Sequence, residues 1–196
     1  PFLSAPENAS MIRRDAPLSL QGDGSYGVDF DAFEAAIAGA GSGGPAKLFI
    51  LCNPHNPVGR AFHRDELTRM AEICLSYGAI LCSDEIHSDL VFEGSSHIPA
   101  ASLDREIEQR AVTLLAPSKT FNIAGLACSA AIIRDPELRR RFKSAGRGLS
   151  GWVNVVGLAA ALAAYRDGQE WLDQLLRYLQ GNRDFQVSLA EFSVLA

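Results

Sequence analysis

The chain alternates between short, uniformly apolar runs and longer segments in which apolar residues recur every three or four positions. Apolar runs at 48–52, 79–83 and 111–116 are each bounded by polar or turn-forming residues. Runs of this length are typical of strands that are buried on both faces of a parallel sheet. A fourth apolar run at 129–133 predicts one further strand.

Helical segments are predicted between these runs. Asp31 and Glu34, three positions apart, form a capping signature, and the helix that follows is predicted to end at Gly41. Further helices are predicted at 63–77, at 102–109 and from Pro136 onward.

The order of strand, helix, strand, helix, strand predicts the domain organisation. This order is typical of an α/β domain with a mostly parallel sheet flanked by helices. Residues 1–150 fit that domain, whereas residues 151–196 are rich in alanine and leucine at helical spacing and predict a helical C-terminal segment.

Composition narrows the class of protein. Hydrophobic residues make up 47% and charged residues 21% of the chain, as in soluble globular proteins. The net charge of −5 argues against a nucleic-acid partner, which would require a basic face. No apolar run approaches the ~18 residues of a membrane span, so no membrane partner is expected.

The cysteines predict neither a metal site nor a disulfide framework. Cys52, Cys74, Cys82 and Cys128 form no CxxC pair and have no histidine at a metal-finger distance. Reduced, buried thiols are expected, as in a cytoplasmic protein.

Unusual polar residues follow three of the predicted strands. Asn53 and Asn56 follow the first, Asp84 follows the second, and Ser118 and Lys119 follow the third. Ligands of open parallel sheets bind at these carboxyl ends. Singly, each has a more common explanation: a surface lysine, a helix-capping aspartate and a turn asparagine. Together, they suit pyridoxal 5′-phosphate, which needs a lysine amine, a carboxylate at its ring nitrogen and a donor to its phenolic oxygen.

Three motifs carry a family resemblance: NPHNPVGR at 53–60, SDEIH at 83–87 and APSKTFNIAGL at 116–126. They resemble those of the class I/II aminotransferase family of fold-type I pyridoxal-phosphate enzymes. Within it, they are most similar to the cystathionine β-lyase-like branch of carbon–sulfur lyases. The resemblance extends from about Pro1 to about Asp184.

The resemblance implies a role for each matching residue. Lys119 is the catalytic residue that forms the Schiff base with the cofactor, and Asp84 pairs with its ring nitrogen. Asn56 binds the phenolic oxygen, and His87 stands where many aminotransferases place a tyrosine that also reaches that oxygen. Ser118 contacts the phosphate. The simpler alternatives are a solvent-facing histidine for His87 and a turn hydroxyl for Ser118.

Two departures from the broader aminotransferase pattern favour the lyase branch. A hydroxyl residue three before the lysine is replaced by Ala116, and a phosphate-binding arginine eight after it is replaced by Ala127. The expected reaction is β-elimination from a sulfur-containing amino acid, which gives pyruvate, ammonia and a thiol. An aminotransferase of the same fold is the alternative, and a catalytically incomplete fragment or a regulatory protein on this fold is a further one.

The resemblance also implies what surrounds this sequence. The expected parent is a longer protein, of which this chain is a fragment containing part of the cofactor-binding large domain. Residues 151–196 would lead into a C-terminal small domain. Proteins of this family form active sites at a homodimer interface, so a homodimer of the full-length parent is expected.

Overall fold

The computed structural model describes residues 2–39, 43–149 and 151–194. The strands are β1 (Leu18–Leu20), β2 (Tyr26–Val28), β3 (Leu48–Cys52), β4 (Ile80–Asp84), β5 (Ala111–Leu115) and β6 (Ala130–Ile132). The helices are α1 (Ala5–Asn8), α2 (Phe30–Ala38), α3 (Arg64–Ser76), α4 (Arg105–Arg110), α5 (Pro136–Ala145), α6 (Val155–Asp167) and α7 (Gln169–Val194). Short 3₁₀ turns at Ala100–Ser102 and Ala124–Leu126 complete the regular structure.

The central sheet has four strands in the order β3-β4-β5-β6. β3, β4 and β5 are parallel, and β6 runs antiparallel to β5. Cys52 pairs with Asp84, and Asp84 pairs with Leu114, so the three parallel strands end at the same level. The predicted α/β fold with a mostly parallel sheet is confirmed.

The hydrophobic core lies on one face of this sheet. Leu51 of β3 and Leu81 of β4 pack there with buried residues of α2, α3 and α4, including Phe33, Leu67 and Ile107. Because side chains alternate along a strand, the residues between them face the other way. That other face carries half-buried residues, namely Ile50, Cys52, Cys82 and Asp84.

The start of α2 differs from the prediction. Asp29, not Asp31, is the N-cap residue, and its carboxylate accepts the N–H of Ala32 at 3.0 Å. The helix ends at Gly39, which adopts a left-handed conformation with φ of 72°. The predicted stop at Gly41 lies outside the described residues.

The C-terminal segment is helical, as predicted. Asn154 caps α6 by accepting the N–H of Gly157 at 2.8 Å, and Gly168 separates α6 from α7. A Cβ atom at Gly168 would lie 2.5 Å from the Phe121 ring, so this close approach requires glycine. The predicted boundary residue Ser150 is outside the described part of the chain.

The described ranges lack a membrane-spanning helix and a metal-binding cluster. None of the helices there has the length and apolar character needed to cross a membrane. Those residues also contain no group of three or more side chains suited to hold a metal ion. All four cysteines are unpaired, but the expectation of buried thiols holds only for Cys74, since the other three are half-buried.

Candidate active site

Asp84 ends β4, the strand between β3 and β5, and its side chain is half-buried. Its carbonyl oxygen accepts the N–H of Asn53 at 3.0 Å, and its carboxylate accepts the N–H of Ile86 at 3.3 Å. These contacts hold the carboxylate at the carboxyl edge of the parallel strands, where ligands of such sheets bind.

Two cysteines share the sheet face of Asp84 and respond to its charge. Burial, followed by the negative charge of Asp84, raises the pKa of the Cys82 thiol to about 11. Burial also raises the pKa of the Cys52 thiol. The hydrogen bond from the Asn56 N–H lowers this pKa by a smaller amount, and the negative charge of Asp84 raises it further. Both thiols are therefore protonated near neutral pH.

Asn53 connects the end of β3 to two other parts of the chain. Its side chain is fully buried; Oδ1 accepts the N–H of Phe62 at 3.1 Å, and Nδ2 donates to the carbonyl oxygen of Ile98 at 3.4 Å. Asn53 therefore braces the 53–62 loop from within the core and is not exposed to a ligand.

Asn56 and His87 line one cavity of about 940 Å³ beside the 53–62 loop. Asn56 is exposed, and its backbone N–H donates to the Sγ of Cys52 at 3.5 Å. Nδ1 of His87 is buried and has no hydrogen-bond partner among the described residues. A polar ligand in this cavity would supply the missing partner.

Ser118 and Lys119 lie in a turn that directly follows β5. The N–H of Phe121 donates to the carbonyl oxygen of Pro117 at 2.9 Å, and the buried Thr120 hydroxyl donates to Asp89 at 3.3 Å. These bonds hold the turn against the segment that follows β4. The Lys119 side chain is exposed, and the Ser118 side chain is half-buried.

The predicted site residues therefore fall into two groups. Asn56 and His87 share the cavity, whereas Asp84, Ser118 and Lys119 are not among the described residues that line it. Asp84 is itself the last residue of β4, and the other four lie in segments that follow the aligned carboxyl ends of β3, β4 and β5.

Glu85 and His97 form a buried contact that the motifs alone did not single out. A carboxylate oxygen of Glu85 lies 2.9 Å from Nε2 of His97. The alternation of side chains along a strand could have indicated that Glu85 is buried, because the residue after Asp84 faces the hydrophobic core.

The family follows from comparison with known proteins. The sequence profile of the family described as "Aminotransferase class I and II" matches residues 15–192, which is most of the chain. The chain belongs to the aminotransferase class I and II family.

The proteins similar to this family member include lyases by name. Cystathionine beta-lyase PatB of Bacillus subtilis (strain 168) is 46% identical over 164 residues, which cover 83% of this chain and 41% of PatB. The crystal structure of cystalysin from Treponema denticola, which contains pyridoxal 5′-phosphate, has a TM-score of 0.87 and 34% identity over 94% of this chain and 46% of cystalysin. The PLP-bound C-S lyase from Staphylococcus hominis has a TM-score of 0.87 and 32% identity over 97% of this chain and 47% of that enzyme.

These comparisons confirm the resemblance to the lyase branch of the family. The chain spans less than half the length of each of these three relatives.

Proposed function

We propose that this chain is part of a pyridoxal-phosphate-dependent carbon–sulfur β-lyase, which converts a sulfur-containing amino acid to pyruvate, ammonia and a thiol. The observation that carries the proposal is the alignment of three parallel strand ends, followed in order by Asn56, Asp84 and Lys119. Similarity to a cystathionine beta-lyase and to two lyase structures that contain the cofactor supports it.

The residues at this edge fit the polar groups of the cofactor. The Asp84 carboxylate is half-buried, and among the described residues only the N–H of Ile86 donates to it, so it retains capacity for a ring N–H. The buried, unpartnered Nδ1 of His87 fits a ligand oxygen. Lys119 is exposed and therefore accessible to an aldehyde carbon.

We assign each side chain one group of the cofactor. Asp84 binds the ring nitrogen, Asn56 and His87 bind the phenolic oxygen, Ser118 binds the phosphate, and Lys119 holds the aldehyde carbon. The absence of polar side chains at Ala116 and Ala127, where the broader aminotransferase pattern has phosphate contacts, supports the lyase branch.

When bound, pyridoxal phosphate supplies an electron sink for the negative charge that develops on the substrate α-carbon. The Nζ of Lys119 would accept the proton that leaves that α-carbon. Asp84 keeps a proton on the ring nitrogen, because a neighbouring carboxylate favours the charged form of a base. The side-chain amide of Asn56 donates to the phenolic oxygen and so orients the ring. The hydrogen bond from Thr120 to Asp89 holds in place the turn that carries Lys119.

The organisation of the whole protein is part of the proposal. Residues 1–150 belong to the cofactor-binding domain, and residues 151–196 lead into a small C-terminal domain. A homodimer of the full-length protein is supported by exposed apolar side chains, which include Trp152, Val155 and Leu162. A cytoplasmic location is supported by four unpaired cysteines.

The reaction is tested on the full-length protein, obtained by extending the coding sequence to its natural start and stop codons. The protein is incubated with pyridoxal phosphate and cystathionine or an S-alkyl cysteine. Pyruvate is measured with lactate dehydrogenase, and thiol is measured with a chromogenic disulfide reagent. We expect both products in equal amounts, and none with Lys119→Ala. Lys143→Ala, a lysine of α5, is the matched control and should retain activity.

Other outcomes would identify the alternatives. Transfer of the amino group to an added oxo acid, without release of thiol, would identify an aminotransferase. Cofactor binding with neither reaction would identify a regulatory or incomplete protein on the same fold.

A further inference from the structure

A buried polar network lies behind the carboxyl ends of β3 and β4, on the core face of the sheet. At its centre is Glu85, which is 1% exposed. One of its carboxylate oxygens accepts the N–H of Ala100 at 3.0 Å, and the other lies 2.9 Å from Nε2 of His97. Glu85 thus holds both ends of the 97–100 segment.

Asn53 binds the same segment from the neighbouring strand. Its Nδ2 donates to the carbonyl oxygen of Ile98, and its Oδ1 accepts the N–H of Phe62. The 97–100 segment is therefore attached to the ends of both strands, and Asn53 also fixes the far end of the loop that carries Asn56. We call Asn53, Glu85 and His97 the Glu85 network.

Backbone bonds link this network to the candidate site on the opposite face. The N–H of Glu85 donates to the carbonyl oxygen of Leu114 at 2.9 Å, and the carbonyl oxygen of Asp84 accepts from Asn53 at 3.0 Å. Because Asp84 and Glu85 are consecutive in extended chain, a shift of the Glu85 side chain would move the Asp84 carboxylate with it.

Core stability alone does not account for a carboxyl group at this position. Burying a carboxylate is costly unless it is paired and hydrogen-bonded, and apolar residues of similar volume often stabilise a core equally well. The Glu85 network is surrounded by apolar residues, among them the fully buried Ala100 and the 3% exposed Phe62. Hydrogen bonds fix the distances and directions between the segments that they join, whereas apolar packing allows those segments to shift relative to one another.

We propose that Glu85 and His97, acting with Asn53, are positioning residues that fix the Asp84 carboxylate and the 53–62 loop at one spacing. This proposal rests on the proposed function, since that spacing is the distance between two groups that bind one cofactor. Loss of the Glu85 network should weaken cofactor binding and loosen both segments, even where the overall fold persists.

The test compares four variants of the Glu85 network and one control variant, all in the full-length protein. Glu85→Leu removes the charge and both contacts, whereas Glu85→Gln keeps an acceptor for the Ala100 N–H. His97→Phe removes one contact, and His97→Gln restores a donor. Thr113→Val is the matched control, because Thr113 is 5% exposed in the neighbouring strand, faces the same core, and has a hydroxyl without a partner among the described residues.

Two measurements separate positioning from stability. The first is the dissociation constant of pyridoxal phosphate, measured on variants that circular dichroism shows to be folded. We expect a rise of about tenfold or more for Glu85→Leu, a smaller rise for Glu85→Gln, and no change for Thr113→Val. The second is amide hydrogen exchange of the cofactor-free protein, which should become faster at 54–62 and 84–86 together.

Each result decides the proposal. A folded Glu85→Leu protein with unchanged affinity and unchanged exchange would overturn it. If Glu85→Leu does not fold, His97→Phe decides: weaker binding that His97→Gln restores supports positioning, and unchanged binding refutes it. If the wild-type protein binds no cofactor, the proposed function fails, and hydrogen exchange still tests the Glu85 network.

Discussion

The backbone N–H of Asn53 donates a hydrogen bond to the carbonyl oxygen of Asp84 at 3.0 Å. This bond extends the pairing of β3 and β4 by one residue and joins two motifs that are far apart in the chain. The side chains of the two residues point to opposite faces of the sheet. Asn53 is directed into the core and Asp84 towards the candidate site, so one main-chain bond links the structural and functional sides of the same edge.

Replacement of Lys119 by alanine should abolish covalent attachment of pyridoxal phosphate and leave the fold intact. The side chain is exposed, and the turn around it is held by contacts of Pro117 and Thr120, which do not involve the lysine amine. Borohydride reduction followed by peptide mass spectrometry should find the cofactor on the Lys119 peptide of the wild-type full-length protein. Attachment at another lysine, such as Lys47 or Lys143, would contradict the assignment.

Replacement of Asp84 by alanine should preserve the fold and reduce turnover by about 100-fold or more, because the ring nitrogen loses the carboxylate that keeps it protonated. The measurement is pyruvate formation by the full-length protein at saturating cofactor, with circular dichroism as the test of folding. Asp31→Ala is a matched acidic control, since it removes an exposed carboxylate in the first turn of α2, away from the candidate site. Near wild-type turnover in Asp84→Ala would remove Asp84 from the site.

Neutralising Asp84 should also make a nearby thiol more acidic. The negative charge of Asp84 is the second cause, after burial, of the rise in the pKa of Cys82 to about 11. In Asp84→Asn the pKa of Cys82 should therefore fall, although burial keeps it above its ordinary value of 9.0. The rate of Cys82 alkylation, followed against pH by mass spectrometry, should begin to rise at lower pH than in the wild type. Identical profiles would mean that the carboxylate does not face Cys82.

His55 should make stability depend on pH. Burial, and then the positive charge of Arg60, lowers the pKa of His55 below its ordinary value of 6.5. The unfolded chain therefore binds more protons than the folded chain below about pH 6.5, and the free energy of unfolding falls as pH falls through this range. Above pH 6.5 this contribution is fully present. Urea unfolding at several pH values between 8 and 5 measures the free energy of unfolding. This free energy should fall more steeply with decreasing pH in the wild type than in His55→Gln. Equal slopes for the two proteins would contradict the prediction.

Replacement of Leu67 by alanine should destabilise the protein by about 2–5 kcal/mol, because the side chain is only 1% exposed and its loss leaves a cavity between α3 and the sheet. Leu20→Ala is the matched control, since that leucine of β1 is 65% exposed, and should change stability by less than about 0.5 kcal/mol. Urea unfolding at pH 7 measures both. Equal effects of the two substitutions would show that Leu67 does not anchor α3 to the core.

The sequence by itself determined the order of the elements and the positions of the motifs. Apolar runs, helical periodicity and turn residues act over a few neighbouring positions, so they can be read without knowledge of the fold. This is why the end of β3 at Cys52 could be anticipated, whereas the predicted end of β4 at Ser83 is one residue short of Asp84. The start of α2 was misplaced by two residues because both Asp29 and Asp31 are able to cap a helix, and the backbone conformation selected Asp29.

Only the tertiary structure decided how distant segments meet. Asn53 binds Ile98 across 45 positions of sequence, and Glu85 binds His97 and Ala100 on the core side. The cavity that Asn56 and His87 share likewise depends on the parallel pairing of β3 and β4. Such contacts depend on which strands become neighbours and on which way each side chain faces. Those relationships arise from packing over the whole domain, and a local pattern along the chain does not contain them.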